Sequence, residues 1–563
     1  MWGSSEPDRH LRDVSETGRV GTLPPVPALS PDLSPARAAL DAASRLVDTA
    51  VSHLAGLTTG DGGPSVAKLD QHQVFAYDLA HVASAVAGCR SMLRYAEHGD
   101  LESALAQFYI GDAIADLVAR LVGRERAWGV DLADLAPHHE FVQWQRSPEA
   151  IEELAAEIIK QGGGPTHLSD EFELARETFH RFAEDKIRPV AEHVHRANAD
   201  VPEDIIAGLA ELGVFGLSVP EEYGGFATGG ESDYLGMVVA TEELSWGSLG
   251  IGGSLITRPE ILTRAIVKGG TEEQKQRWLP KIASAEAMVG VMVTEPDFGS
   301  DAAGIQTVAR KVEGGYRIRG VKTWATFAGR ANTLMLLART GARDSGHRGL
   351  SLFVVEKPEA PGHSFTFEAD GGTMEGRAID TIGYRGMHSY EVSFDDWFVP
   401  EENLIGGEEG VGRGFYLQME GFENGRLQTA ARAVGVMQAA FDAALAYARE
   451  RTVFGAPVVE YQLTKAKLVR MAALIQAGRQ FAYDVAHKMG AGGGTLEAAM
   501  VKAYVCRAAE WVTREAQQIH GGMGYAEEYA VSRYFVDARV LSIFEGADET
   551  LCLRLIARRL IES

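Results

Sequence analysis

Cysteine is scarce. The 563 residues hold three, Cys89, Cys506 and Cys552, far apart and without CxxC spacing. That excludes a disulfide framework or zinc ribbon and leads us to expect a reducing, cytoplasmic setting. No run of 18 apolar residues occurs, so no membrane span is expected. The opening stretch lacks the apolar core of a secretory signal. Basic residues are outnumbered, 54 Lys and Arg against 78 Asp and Glu, for a net charge of −24. No nucleic-acid or anionic-membrane partner is expected, because phosphate attracts Lys and Arg. A local basic site for a phosphorylated ligand stays open. There is no P-loop, no GxGxxG between a strand and a helix, no HExxH and no GxSxG elbow. Resident-metal, serine-hydrolase and nicotinamide-Rossmann chemistry therefore lose ground, and no metal ligands are assigned.

What is present is ordinary globular material, 45% hydrophobic and 23% charged. At roughly 150 residues per domain the length suggests three to four domains. Residues 1 to 30 are polar and Pro-containing and read as a loose tail. Residues 31–165 are Ala/Leu-rich with helical spacing and end at Gly162–Pro165. A second helical block covers 166–288, with a cap at Thr271 and a short helix closed before Pro280. From 289 to 405 the period changes to β-branched alternation between glycine turns, a small antiparallel β domain. Helical periodicity returns over 406–563. Helices, then strands, then helices make an α+β chain with segregated layers, carrying an extra helical block in front.

The chain echoes itself. Phe75-Ala76-Tyr77-Asp78-Leu79-Ala80-His81 matches Phe481-Ala482-Tyr483-Asp484-Val485-Ala486-His487, and the stretch from Leu101 parallels the one from Leu496. We infer that the front block copies part of the C-terminal helices and serves packing; the alternative is chance likeness among Ala-rich helices.

Three segments are unusual. Val293 to Asp301, VTEPDFGSD, takes a strand-like run into a polar loop with hydroxyls at both ends. Gln518 to Tyr525, QIHGGMGY, puts three glycines after a long helix, where backbone N–H groups can approach an anion. Ile543 to Thr550, IFEGADET, sets Glu545 between Phe544 and Gly546 after an apolar run. Burial there is expected to raise its pKa and strengthen it as a base.

Together with LAELGVFGLSVPEEYGG, GVKTWAT, YEVSFDDWFVP and ERTVFGAPVVEYQ, all in one order, these segments resemble the acyl-CoA dehydrogenase family over about residues 166 to 563. Some relatives also carry an extra front block with a QHxxFAYDLAH-like stretch, here Gln71 to His81. The resemblance implies the family's fold: an N-terminal helical domain, a central β domain and a C-terminal helical bundle. It implies FAD, an acyl-CoA substrate, and removal of two hydrogens across Cα–Cβ. Electron-transferring flavoprotein is the implied acceptor, and a homodimer or homotetramer the implied assembly. A flavin oxidase or monooxygenase on the same fold, and a non-catalytic acyl-CoA scaffold, are the competing readings.

By the same resemblance Glu545 is the catalytic base, since the family's other base position falls on Gly425, on a helix that begins near Phe422. Arg426 is its electrostatic support, or else a plain helix-start cation. Thr294 and Thr326 match hydroxyls near the flavin ring, and Trp324 matches its packing partner, or else fills the β core. Ser300 matches the loop near flavin phosphate and substrate. Arg451, Phe454 and Gln462 match a segment that reaches the FAD of a neighbouring subunit. Gln518, Gly521 and Gly522 match the adenosine-diphosphate contact, and Ala547 and Glu549 the adenine side. Phe422 and Glu423 fall on the path of the pantetheine arm. A short branched dicarboxylyl group ends in a carboxylate, which needs a buried cation. Arg258 is proposed for that role; the alternative is a surface arginine paired with Glu260.

Overall fold

Alanine and leucine at helical spacing build the front block of this computed structural model, which describes residues 31–60 and 63–562. The expected tail, residues 1 to 30, lies outside them. Helix α1 (Ser34–Thr58) buries Ala36, Ala39, Leu40, Ala43, Leu46, Val47, Ala50 and Leu54, one continuous stripe. Helices α2 (Gln73–Tyr95) and α3 (Asp100–Leu121) follow, and α4 (Pro148–Gln161) is capped by the Ser147 hydroxyl. The connection to the next block is pinned. Gln476 Nε2 donates to the carbonyls of Gly163 and Gly164 at 2.8 and 2.7 Å, and Tyr95 Oη donates to Pro165 O at 3.0 Å.

The second block comprises α5 (Asp170–Phe182), α6 (Arg188–Ala197), α7 (Glu203–Glu211), α8 (Glu231–Gly247), α9 (Thr257–Gly269) and α10 (Glu272–Ala283). Thr271 and Gln274 form a reciprocal capping box at the head of α10. The helix does not close before Pro280. It runs through that proline because Trp278, Leu279 and Ile282 are buried on its core face, and their packing outweighs one lost backbone bond.

Eight strands make the central sheet: β1 (Val289–Met292), β2 (Val308–Val312), β3 (Gly315–Thr326), β4 (Thr333–Arg339), β5 (Leu350–Glu356), β6 (Ser364–Ala369), β7 (Gly372–Ile379) and β8 (Ser389–Pro400). Their order is β1-β4-β2-β3-β8-β7-β6, with β5 on the other edge of β4. The sheet is antiparallel except where β1 pairs in parallel with β4 and β2 meets β4 at one residue, so the purely antiparallel expectation is corrected there. The parallel step follows from chain path: β1 enters from α10 rather than by a hairpin.

Three long helices follow, α11 (Gly414–Glu450), α12 (Gln462–Gly490) and α13 (Thr495–Ile519), then the shorter α14 (Val531–Leu541) and further helical turns from Asp548 to Glu562. Helix α11 starts eight residues before the expected Phe422. The front block lies on this bundle, with α2 against α12 and α13 and α3 against α12. The equivalent tyrosines of the echo, Tyr109 and Tyr504, touch edge to face with ring centroids 6.2 Å apart. Among the described residues no helix is long and apolar enough to cross a membrane.

Candidate active site

Three segments remote in sequence converge on one carboxylate. Helix α9 brings Arg258, α11 brings Gly425, Thr429 and Arg432 on one face, and the loop after α14 brings Glu545. Arg432 Nη2 donates to Glu545 Oε1 at 2.7 Å and to Thr429 Oγ1 at 2.6 Å. Thr429 Oγ1 donates to Glu545 Oε2 at 3.0 Å, and Arg258 Nη1 stands 3.6 Å from Oε1. Only 7% of the Glu545 side chain and 8% of Arg258 reach solvent. Gly425 leaves space for the carboxylate: a Cβ there would meet Glu545 Oε2 at 2.7 Å, and the carboxylate would have to shift. The position that the resemblance ruled out as a base thus leaves room for Glu545.

The loop holds Glu545 at φ +53°, a left-handed conformation rare for a residue with a side chain. Several contacts hold this strain in place. Phe544 N–H donates to Val540 O at 3.1 Å, Asp548 N–H to Ser542 O at 3.1 Å, and the Lys502 ammonium to Gly546 O at 2.6 Å. Phe544 carries the Arg432 guanidinium over its ring at 4.7 Å and meets Tyr384 edge to face. The front block reaches the same loop. Tyr77 Oη donates to Asp548 Oδ2 at 2.5 Å, and His81 Nε2 lies 3.1 Å from that oxygen. The Glu545 backbone N–H has no acceptor among the described residues.

The electrostatics overturn one expectation. Burial does push the Glu545 carboxyl up, but the charges of Arg432 and Arg258 and the hydrogen bonds from Arg432 and Thr429 outweigh it. The group sits below the ordinary glutamate range and rests as an anion. The positive charge around it is in excess. Arg258 Nη1 and Arg426 Nε are buried without hydrogen-bond partners, and burial pulls the Arg426 pKa down. Arg258 does not pair with Glu260, whose Oε1 accepts from Arg264 at 2.8 Å, from Ser218 at 3.3 Å and from Asn424.

Arg426 is buried on α11 and feels the charges of Glu423 and Glu545, while the direct contact to the carboxylate belongs to Arg432. Arg432 and Thr429 were missed, yet their spacing of seven and four from Gly425 was a readable signal. Lys502, Tyr77 and His81 left no signal, because nothing in the spacing ties them to residues 545–548.

The other anticipated residues fall into two groups. Ser300 Oγ accepts from Thr550 Oγ1 at 2.9 Å, which joins the VTEPDFGSD loop to the Glu545 segment, where Ala547 is half-buried and Glu549 exposed. Thr326 Oγ1 lies 3.0 Å from Ser389 Oγ, and Thr294 is half-buried at the end of β1, its carbonyl accepting from Thr323 N–H. Trp324 is not in the β core. It sits at φ +58° with 54% of its surface exposed, a flat aromatic face beside these hydroxyls that suits a stacked ring system. Gly521, at φ +58°, and Gly522 have open space around Cα, which suits close approach of a phosphate. Gln518 is exposed near the C-terminal end of α13, just before them. These residues fit a flavin dinucleotide.

Arg451, Phe454 and Gln462 stand apart from Glu545, exposed around the short hairpin between α11 and α12, and Phe454 is wholly exposed. Phe422 is half-buried against the core beside α9, and Glu423 Oε2 accepts from Thr495 Oγ1 at 3.1 Å.

Three family models match the chain: the acyl-CoA dehydrogenase N-terminal domain over 169–286, the middle domain over 290–397 and the C-terminal domain over 412–561. The (2S)-methylsuccinyl-CoA dehydrogenase of Cereibacter sphaeroides is 39% identical over 556 residues, covering 95% of this chain and 99% of that relative. A mitochondrial isovaleryl-CoA dehydrogenase of Solanum tuberosum is 35% identical over 66% of this chain and 87% of its own length. Among solved structures, butyryl-CoA dehydrogenase from Megasphaera elsdenii superposes with a TM-score of 0.64 at 31% identity, over 70% of this chain and 100% of that one. A glutaryl-CoA dehydrogenase in complex with glutaryl-CoA superposes equally well, at 30% identity over 70% of this chain and 96% of its own.

Proposed function

The chain belongs to the acyl-CoA dehydrogenase family, and from that premise we propose that it oxidises a short branched dicarboxylyl-CoA thioester, (2S)-methylsuccinyl-CoA to mesaconyl-CoA. The observation that carries the acyl group is the buried arginine excess: Arg258 and Arg432 flank the carboxylate of Glu545, Arg426 feels it together with Glu423, and each of the three keeps an unpartnered nitrogen. A buried cation without a counter-charge is costly. A substrate whose far end is a carboxylate supplies that charge; a neutral acyl chain does not.

The enzyme is an FAD-dependent oxidoreductase, and bound FAD supplies the acceptor for the β-hydride. This chain's residues do the rest. Glu545, an anion at rest, takes the α-proton on its carboxylate oxygen. The unpaired Glu545 N–H faces the thioester oxygen and steadies the negative charge that grows there. The substrate's distal carboxylate draws Arg258 to itself. That lowers the positive potential at Glu545 and raises its basicity once the correct substrate is in place. Trp324, Thr294 and Thr326 orient the ring, Gln518, Gly521 and Gly522 take the pyrophosphate side, and Ala547 and Glu549 face the adenine. Ser300, Phe422 and Glu423 border the CoA arm. Arg451, Phe454 and Gln462 serve the cofactor of a second subunit, so the working unit is a homodimer or homotetramer. Electron-transferring flavoprotein takes the electrons in a reducing cytoplasm, which suits three buried free cysteines.

The test is anaerobic flavin bleaching with butyryl-, isovaleryl-, glutaryl- and methylsuccinyl-CoA. Methylsuccinyl-CoA is expected to bleach fastest. Equal or faster bleaching by the two neutral acyl groups overturns the dicarboxylate assignment.

A further inference from the structure

A second cluster lies beside Phe327, at the seam between the second helical block and the sheet. Asp200, from the loop between α6 and α7, meets His363, just before β6, and His388, just before β8. One side-chain ligand atom of each lies within 4.8 Å of the other two. His388 is buried, and its Nε2 is 3.0 Å from Asp200 Oδ1 yet has no hydrogen-bond partner, so the contact lacks hydrogen-bond alignment. Two ligands on one ion show that signature: with metal–ligand bonds of about 2.0–2.2 Å, neighbouring donor atoms sit roughly 3.0–3.5 Å apart without bonding to each other.

The frame around the three is built. Asp200 Oδ2 accepts from Gly362 N–H at 2.8 Å, which leaves Oδ1 to face the histidines. The carbonyl of His363 accepts from Ala378 N–H at 2.8 Å and that of His388 from Phe327 N–H at 2.8 Å. Both histidine backbones are thus fixed, and their rings meet with centroids 4.4 Å apart. Beside them is a cavity of about 20 Å³ lined by Asp200, Glu203, Gly362 and His388. Arg330 lines the same cavity, but Glu203 pairs with it at 2.6 and 2.9 Å and Glu359 at 2.8 Å, so the carboxylates outnumber the cation.

We propose that Asp200, His363 and His388 bind one divalent transition-metal ion of the zinc class, a two-histidine, one-carboxylate set. The ion ties the helical block to the sheet. It sits one residue from Ser389, whose hydroxyl holds Thr326, and so braces the strand pair that presents Thr326. Its role is mechanical, and it stands whether or not the acyl group assigned above is right.

The experiment is zinc sulfate titrated by calorimetry into chelator-dialysed holoenzyme, with thermal melts in parallel. The wild type is expected to bind one ion per protomer with a dissociation constant of about 10 µM or below and to melt higher with zinc. His363→Ala alters an exposed side chain. It is expected to melt like the wild type without zinc, to weaken binding about tenfold or more, and to lose the zinc-induced rise. Asp200→Asn keeps an oxygen for Gly362 N–H and is expected to weaken binding by a similar factor. Equal zinc affinity in wild type and His363→Ala, or no saturable binding in the wild type, overturns the proposal.

Discussion

The same seven-residue pattern does different work in its two copies. In α12, Tyr483 is buried and donates to Glu242 Oε2 at 3.3 Å, inside the ion-paired interior between α8 and α12, while His487 is exposed. In α2, Tyr77 and the buried His81 both face Asp548, three residues from Glu545, and Arg507 donates to the Tyr77 hydroxyl. Asp78 pairs with Arg120 and Arg124 inside its own block, whereas Asp484 pairs with Arg94 of the other copy. The back copy stiffens the bundle. The front copy, expected to serve packing alone, also grips the loop that carries Glu545. Sequence likeness transmitted the helix; the neighbours assigned the task.

The comparison breaks first if the gripped loop does not carry the base. Glu545→Gln is expected to retain FAD and CoA binding and to lower the rate of flavin bleaching by about 10³-fold, within the usual range for a general base. Full-rate bleaching removes Glu545 from that role and leaves α2 holding an ordinary turn. Next, Arg258→Ala is expected to lower kcat/KM by about a hundredfold for methylsuccinyl-CoA, the worth of a buried charged hydrogen bond, and by less than about tenfold for butyryl-CoA. Equal losses take Arg258 out of acyl recognition.

The two tyrosines sharpen the contrast directly. Tyr77→Phe is expected to lower kcat about tenfold with KM little changed, because the loop that presents Glu545 loses its lateral hold. Tyr483→Phe is expected to cost about 1–2 kcal/mol in urea unfolding and to leave kcat near wild type. The reverse pattern would exchange the roles assigned to the copies. The smallest effect is in pH. Burial raises the Asp548 carboxyl, but His81, Tyr77 and Arg507 together hold it below the ordinary value of 3.8. A depressed carboxyl contributes stability that is present above 3.8 and is lost as pH falls through its folded value. The gap in unfolding free energy between wild type and Tyr77→Phe is therefore expected to be constant from pH 7 to about 4.5 and to close below that. A gap that closes near neutrality points to a group other than Asp548.

Much of the molecule was legible in its residues. The buried stripe of α1, the Thr271–Gln274 capping box and the change of period near Val289 each announced an element, because they act within a few residues of themselves. The burial of Glu545 was legible too, through its apolar flanks. The helix through Pro280 and the parallel pairing of β1 with β4 were not, since burial and chain path decided both. The resting state of Glu545 was misread for the same kind of reason. Local apolarity argues for a raised pKa, and the arginines that reverse it arrive from α9 and α11, 287 and 113 residues away in the chain (545 − 258; 545 − 432).

Period, caps and motif order are short-range properties, and with them the chain by itself determined its helices, its strands and its family, and singled out Glu545. Charge and coordination act through space at a few ångströms. Only the folded molecule could decide that Arg432 holds Glu545, that Tyr77 reaches Asp548, or that Asp200, His363 and His388 meet.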